Sequence, residues 1–149
     1  KENGEYIPQL MNRLLATLHA TDTRGFARLK LSLPAARVLV VLLRHGPMRV
    51  SRLADLVGLE ATGLSHLMRA LEQRRLITRK RHPGDHRAVI ASLTTEGRLQ
   101  ARACAEIYEQ TETSLVRDLP ETEVTRLRGL LEQMLANAGG LANAGGHDA

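Results

Sequence analysis

Between Val50 and Leu93 the spacing of apolar residues changes from helical to strand-like, and that change restricts the chain to few folds. Val50, Leu53, Ala54 and Val57 follow i, i+3, i+4, i+7, the stripe of a helix with one buried face, and Ser51 is its candidate N-cap. Gly58-Leu59 suits a helix end at positive φ followed by an apolar plug, a turn that holds two helices at a steep angle. A second helix is expected from Ala61 to Arg74, burying Leu64, Leu67, Met68 and Leu71 and leaving Thr62, Gly63, Ser65, His66, Arg69 and Gln73 free. Leu76 to Arg81 and Ala88 to Ser92 have strand composition, and His82-Pro83-Gly84-Asp85-His86-Arg87 between them is turn-forming. Met48-Arg49-Val50 suits a short third strand. Helix, turn, helix and basic hairpin in this order predict a winged helix-turn-helix.

From Arg74 to Arg87 six Lys or Arg side chains stand against one acid, Asp85, and this surplus equals the formal net charge of +5 on the 149-residue chain. A surplus confined to one hairpin exceeds what solubility needs and matches what displaces counterions from a phosphate backbone. The free face of the second helix carries short donors and acceptors plus an arginine, groups that reach base edges in a major groove. Double-stranded DNA is therefore the expected partner. The candidate contacts are Thr62, Gly63, Ser65, His66 and Arg69 on the helix and Arg79, Arg81 and Arg87 in the hairpin. With no Trp, one Phe and two Tyr, the chain lacks the stacking platforms that single strands need.

The flanks read as helices. The first is expected from Glu5 to Thr21, with Ile7, Leu10, Met11, Leu14, Leu15 and Leu18 along one side, broken by Thr21-Asp22-Thr23-Arg24-Gly25. Pro34 opens a helix to Arg44 that is apolar nearly all round, and His45-Gly46-Pro47 stops it. Thr94 or Thr95 caps a long helix from Glu96 to Val116. After Pro120 a last helix carries Val124, Leu127, Leu130, Leu131, Met134 and Leu135, with Glu121 and Glu123 at its positive end. The outer stripes exceed what a winged helix can bury, which implies a second core between two subunits. The expected organisation is mainly α with a small β-hairpin wing. A winged helix-turn-helix covers 31–94, N- and C-terminal dimerisation helices cover 1–30 and 95–138, and the glycine-rich end over 139–149 forms a flexible tail.

Other chemistries find little support. The six histidines are scattered apart from His82 and His86, with no cysteine or carboxylate set to complete a tetrahedral site, so neither metal nor cofactor is expected. No nucleophile stands beside a base, and the terminal glycines lack the strand and helix a phosphate loop requires, so no enzyme is expected. Cys104, the one cysteine, reads as a buried inert thiol and fits a reducing cytoplasm. No apolar run approaches the ~20 residues of a membrane span and no leader pattern opens the chain, so the expected location is cytoplasmic, off the membrane. The rival to sequence-specific binding is an architectural DNA-binding or protein-interaction winged helix.

Leu33-Pro34-Ala35-Ala36-Arg37-Val38-Leu39, Ser51 to Val57, Leu71 to Arg79, Asp85-His86-Arg87 and Leu93-Thr94-Thr95-Glu96-Gly97 together resemble the MarR family of bacterial transcriptional regulators, over roughly Tyr6 to Leu135. The ordered set is specific, above all the Asp-x-Arg wing followed by Leu-Thr-x-x-Gly. The resemblance implies a homodimeric regulator, a repressor, with one recognition helix per half-site of a pseudo-palindromic operator. It implies that Arg87 enters the minor groove and that Asp85 is structural. It also implies release of DNA by a small aromatic acid or related anion, in a cleft drawing on Arg13, His19, Arg24 and Phe26, with Arg28 and Arg37 nearby. Two departures stand out. Arg75 occupies the place of a usual glycine, so that helix end is capped differently or strained by about 1 kcal/mol. Gly63 and His66 stand where the family often has a hydroxyl residue and an arginine. Some members sense peroxide through a cysteine near the N-terminus, and none lies there in this sequence.

Overall fold

The computed structural model describes residues 4–144. Two compact units divide the chain, Lys1–Thr111 and Glu112–Ala149. The first contains α1 (Ile7–Ala27), α2 (Leu33–His45), β1 (Met48–Arg49), α3 (Val50–Val57), α4 (Ala61–Gln73), β2 (Ile77–Arg81), β3 (Val89–Leu93) and most of α5 (Thr95–Leu115). The second holds the end of α5 and α6 (Glu121–Ala144). The strands form one antiparallel sheet in the order β1-β3-β2. Arg49 pairs with Ile90 on one side of β3, and Arg81 with Val89 on the other. The fold is a mainly helical winged helix-turn-helix, with the short third strand where the sequence places it.

The core is aliphatic and centred on α2, whose Ala35, Ala36, Val38, Leu39 and Leu42 are all buried. Ser32 caps this helix by accepting the Ala35 amide at 3.2 Å, and Gly46 ends it at φ +76°. Leu53 and Val57 of α3 and Leu64, Met68 and Leu71 of α4 close over α2, as their spacing predicts. Phe26 of α1 and Ala101 and Cys104 of α5 belong to the same core, so both flanking helices help to complete the winged-helix head.

Three helix boundaries differ from expectation. Helix α1 does not break at Thr21-Asp22-Thr23-Arg24-Gly25 but continues to Ala27. Packing overrides the weak local propensity. Asp22 is buried and accepts the Thr111 hydroxyl at 2.8 Å, Phe26 is wholly buried, and a Cβ on Gly25 would meet Ile107 Cγ2 at 3.0 Å. Thr17 and Thr21 turn their hydroxyls back onto the carbonyls four residues earlier, which removes their competition with the helix. Ser51 is not a cap, because α3 already begins at Val50 behind Arg49. Helix α6 passes through Gly139 and Gly140 to Ala144, so the expected tail fails over 139–144, and 145–149 lie outside the described residues. Ala136, Ala138, Leu141 and Ala142 around the glycines are strong helix formers, and they offset a glycine cost of about 1 kcal/mol each.

Two turns use left-handed residues that are not glycine. Helix α3 ends on Gly58 at φ +69°, as expected, but α4 ends on Arg75 at φ +58°. The Arg75 amide bonds the Glu72 carbonyl at 2.8 Å and the Leu76 amide bonds that of Leu71 at 3.0 Å, which is the Schellman pattern with arginine in the glycine position. Lys30 at φ +56° does the same behind α1. A side chain in this region costs about 1 kcal/mol relative to glycine. Arg75→Gly is therefore expected to raise stability by about 1 kcal/mol and Tm by roughly 2–4 °C in calorimetry. An unchanged or lowered Tm would show that the Arg75 side chain makes compensating contacts.

Candidate nucleic-acid interface

Helix α4 presents Thr62, Gly63, Ser65, His66, Arg69 and Gln73 as an exposed face, while Leu64, Met68 and Leu71 anchor the opposite side. Nothing in the chain lies within 4 Å of where a Cβ on Gly63 would stand. A glycine inside a helix costs about 1 kcal/mol relative to alanine. The fold itself gives Gly63 no packing reason to offset that cost.

The wing is tied to this helix by a two-pronged ion pair. Arg79 Nε donates to Glu72 Oε1 at 2.8 Å and Arg79 Nη2 to Glu72 Oε2 at 3.0 Å, so a strand residue clamps a residue in the last turn of α4. Arg79, a candidate DNA contact, is therefore half-buried and already engaged within the chain. Arg81 and Arg87 are exposed. Asp85 Oδ1 accepts the Arg87 amide at 3.1 Å, and its Oδ2 lies 3.5 Å from Arg49 Nη1. Asp85 thus holds the wing turn and a cation from β1, which fits a structural part. Arg49 and Glu72 are the residues that sequence reasoning missed. Their partners lie 36 and 7 positions away and become neighbours only through the sheet.

The candidate ligand residues do not converge. Arg13 pairs with Glu5 at 2.7 Å, and Arg24 donates to the Ala20 carbonyl of its own helix at 3.3 Å. His19 instead shares a face of α1 with Asp22 and Phe26, and its Nε2 accepts from Arg37 Nη2 at 2.9 Å. Phe26 is fully buried against Tyr108, ring centroids 5.1 Å apart. The Tyr108 hydroxyl is buried without a hydrogen-bond partner among the described residues. Burial pushes its pKa up, against the opposing pull of the nearby Arg37 guanidinium. The 19, 22, 26 spacing could have signalled part of the grouping His19, Asp22, Arg37, Tyr108, but the turn-like composition of Thr21 to Gly25 hides Asp22. Cys104 is buried beside this group, and burial pushes its thiol up to about 11, where thiolate is scarce. Among the described residues no three His, Cys, Asp or Glu side chains gather to hold a metal ion, and no helix is long and apolar enough to cross a membrane.

Comparison with known proteins agrees with this architecture. A MarR family profile matches residues 31–89. The organic hydroperoxide resistance transcriptional regulator of Bacillus subtilis (strain 168) is 31% identical over 106 residues, spanning 66% of this chain and 72% of that protein. The S. aureus MepR–DNA complex superposes with a TM-score of 0.78 at 23% identity, covering 90% of this chain and 99% of that one. Bordetella bronchiseptica BpsR, whose DNA binding is regulated by 6-hydroxynicotinic acid, superposes with a TM-score of 0.75 at 22% identity, over 87% and 98% of the two chains. At these identities the structural matches bear on the fold alone.

The Glu72–Arg79 clamp has a pH signature. The hydrogen bonds from Arg79 hold the Glu72 carboxyl below its ordinary range, outweighing an upward push from partial burial. A carboxylate whose folded pKa is lowered stabilises above its unfolded value of roughly 4.3, and that contribution disappears as pH falls through the lower folded value. Glu72→Gln is expected to cost about 1 kcal/mol near neutral pH in urea unfolding, and nothing in acid below the folded pKa. A cost that persists undiminished in acid would assign the loss to shape and not to charge.

Proposed function

Because the chain belongs to the MarR family of transcriptional regulators, we propose that it is a repressor that binds a pseudo-palindromic operator as a homodimer. The observation that carries this reading is one exposed polar face on α4, anchored beneath by the core and clamped at its end to a wing that holds the chain's charge surplus. Ser65, His66 and Arg69 read base edges in the major groove, with Thr62 and Gly63 against the sugar-phosphate backbone. The open space at Gly63 supports close approach of DNA at the helix N-terminus. Arg87 enters the minor groove and reads its width, and Arg81 adds a phosphate-side cation.

Dimerisation follows from uncovered apolar surface. On α1, Ile7 is 61% exposed and Leu10 54%; on α6, Leu130 is 51% exposed and Leu135 73%. Stripes of this kind need cover, and a second copy supplies it while presenting two recognition helices to two half-sites. Release by an anionic aromatic acid is the favoured form of regulation. His19 and Arg37 offer donors beside the Phe26–Tyr108 pair, and the Tyr108 hydroxyl has no partner among the described residues. The regulation of BpsR by 6-hydroxynicotinic acid is support by likeness for that ligand class. Oxidant sensing through Cys104 is the weaker reading, since a buried thiol with a raised pKa reacts slowly.

Binding of duplexes selected from a random-sequence pool tests the DNA reading. Arg69→Ala or His66→Ala is expected to cost ~1–3 kcal/mol on the selected duplex and to relax one position of it, and Arg87→Ala to lower the salt slope by about one unit. Equal affinity of the unaltered protein for selected and scrambled duplexes would favour the architectural alternative. For the effector, benzoates, hydroxycinnamates and their pyridine analogues are expected to raise Tm and release the duplex, with Arg37→Ala losing the response while keeping DNA binding. By linkage, a ligand that weakens DNA binding about tenfold binds the DNA complex about tenfold more weakly. Absence of any response to these acids at millimolar concentration would rule the reading out.

A further inference from the structure

The tip of the wing is made of two consecutive turns, and each is closed by the side chain that begins it. In the second, Asp85 to Ala88, the Ala88 amide bonds the Asp85 carbonyl at 3.0 Å while Asp85 Oδ1 accepts the Arg87 amide, the usual task of an aspartate at the first turn position. In the first, His82 to Asp85, a histidine performs that task. Its Nδ1 accepts the Gly84 amide at 3.0 Å and the Asp85 amide at 3.1 Å. The ring lies against the turn so closely that a Cβ on Gly84 would touch its Cε1 at 3.4 Å. The His82 amide bonds the Ala88 carbonyl at 2.8 Å and closes the loop at its base.

Accepting two N–H groups requires a lone pair on Nδ1, so the proton of the neutral ring sits on Nε2. A second proton has to go to Nδ1, where it would meet two donors with no acceptor left. We propose that His82 is the positioning residue of the wing, and that its neutral ring is the condition for presenting Arg87 to DNA. The inference rests on the reading of Arg87 as a minor-groove contact and adds a residue to it. His82 orders Asp85, Asp85 orders the Arg87 backbone and pairs with Arg49, and protonation of the ring undoes the first step. The charged or titratable groups around the ring are Asp85, His86 and Arg87 in the same loop, Arg81 on the preceding strand, and Arg49 of β1 through Asp85.

Two variants separate acceptor from charge. His82→Asn places Oδ1 where Nδ1 stands, so it keeps an acceptor that cannot be protonated in this range, while His82→Leu keeps bulk and loses the acceptor. The measurement is affinity for a duplex selected with the unaltered protein, between roughly pH 8 and roughly pH 5.5, which brackets ordinary imidazole titration. At the upper pH His82→Asn is expected to bind within about twofold of the parent, and His82→Leu about five- to thirtyfold more weakly with a salt slope lower by about one unit. Towards the lower pH the parent should lose affinity relative to His82→Asn, whose profile should change less. Other histidines, including His66 and His86, are present in both proteins, so the difference isolates His82. Nitrogen-15 NMR of the parent without DNA provides a second reading, with the Nε2–H tautomer of His82 and protected Gly84 and Asp85 amides expected above the titration. If Arg87→Ala weakens binding but His82→Leu does not, or if His82→Asn behaves like His82→Leu, the inference is overturned. An Nδ1–H tautomer in the NMR spectrum would overturn it as well. If Arg87→Ala itself changes nothing, the underlying wing reading fails instead.

Discussion

The carbonyl oxygen of Leu76 lies 1.8 Å from where a Cβ on residue 97 would have to stand, and much of the head is arranged around that close approach. Gly97, in the first turn of α5, admits the backbone at the start of β2. The same Leu76 carbonyl accepts the Thr94 amide at 3.0 Å, and the Thr94 hydroxyl donates to the Arg75 carbonyl at 2.7 Å while accepting the Gly97 amide at 2.9 Å. A threonine that caps one helix thus bonds the end of another. Four elements meet there: α4 ends, β2 begins, β3 ends and α5 begins. A methyl group at position 97 displaces either the strand or the helix, because a backbone carbonyl has no rotamer by which to move aside. The direction of the exposed face of α4 therefore depends on a contact that no DNA-facing residue makes.

A different economy governs the other end of the head. The core is built almost wholly from aliphatic side chains, with one aromatic pair among the described residues, and a half-buried polar cluster around the buried Asp22 lies against it where α1, α2 and α5 meet. Asp22, His19, Arg37, Tyr108 and Thr111 satisfy one another incompletely, since among the described residues none is in place to bond the Tyr108 hydroxyl. Buried polar groups are costly unless paired, so such a cluster is a poor means of stabilising a small core. On the proposed reading, the effector supplies what completes it.

What the sequence made legible was periodicity and punctuation. The stripes at 50–57 and 64–71, the glycine at 58, the threonine before α5 and the charge of the hairpin all act over a few residues, and the structure places each where its local physics puts it. Effects that act across the fold were hidden. Thr21 to Gly25 carries turn-like propensities, but Phe26, Ile107 and Thr111 hold it helical, and Ile107 and Thr111 are more than eighty positions away. Arg79 looks like one more hairpin cation until Glu72 is seen beside it. Candidate contacts that follow one helical face, such as Ser65, His66 and Arg69, share an exposed surface. Candidate ligand residues collected by composition, such as Arg13 and Arg24, have partners of their own.

The clamp between Glu72 and Arg79 also limits how such a head can move. With the end of α4 bonded to β2, and β2 paired with β3 along its whole length, the exposed face of α4 and the hairpin are tied to one another by side chain and backbone alike. On the proposed reading of α4 and Arg87, this tie sets the distance from major-groove contact to minor-groove contact within one half-site, and the span between half-sites is set elsewhere.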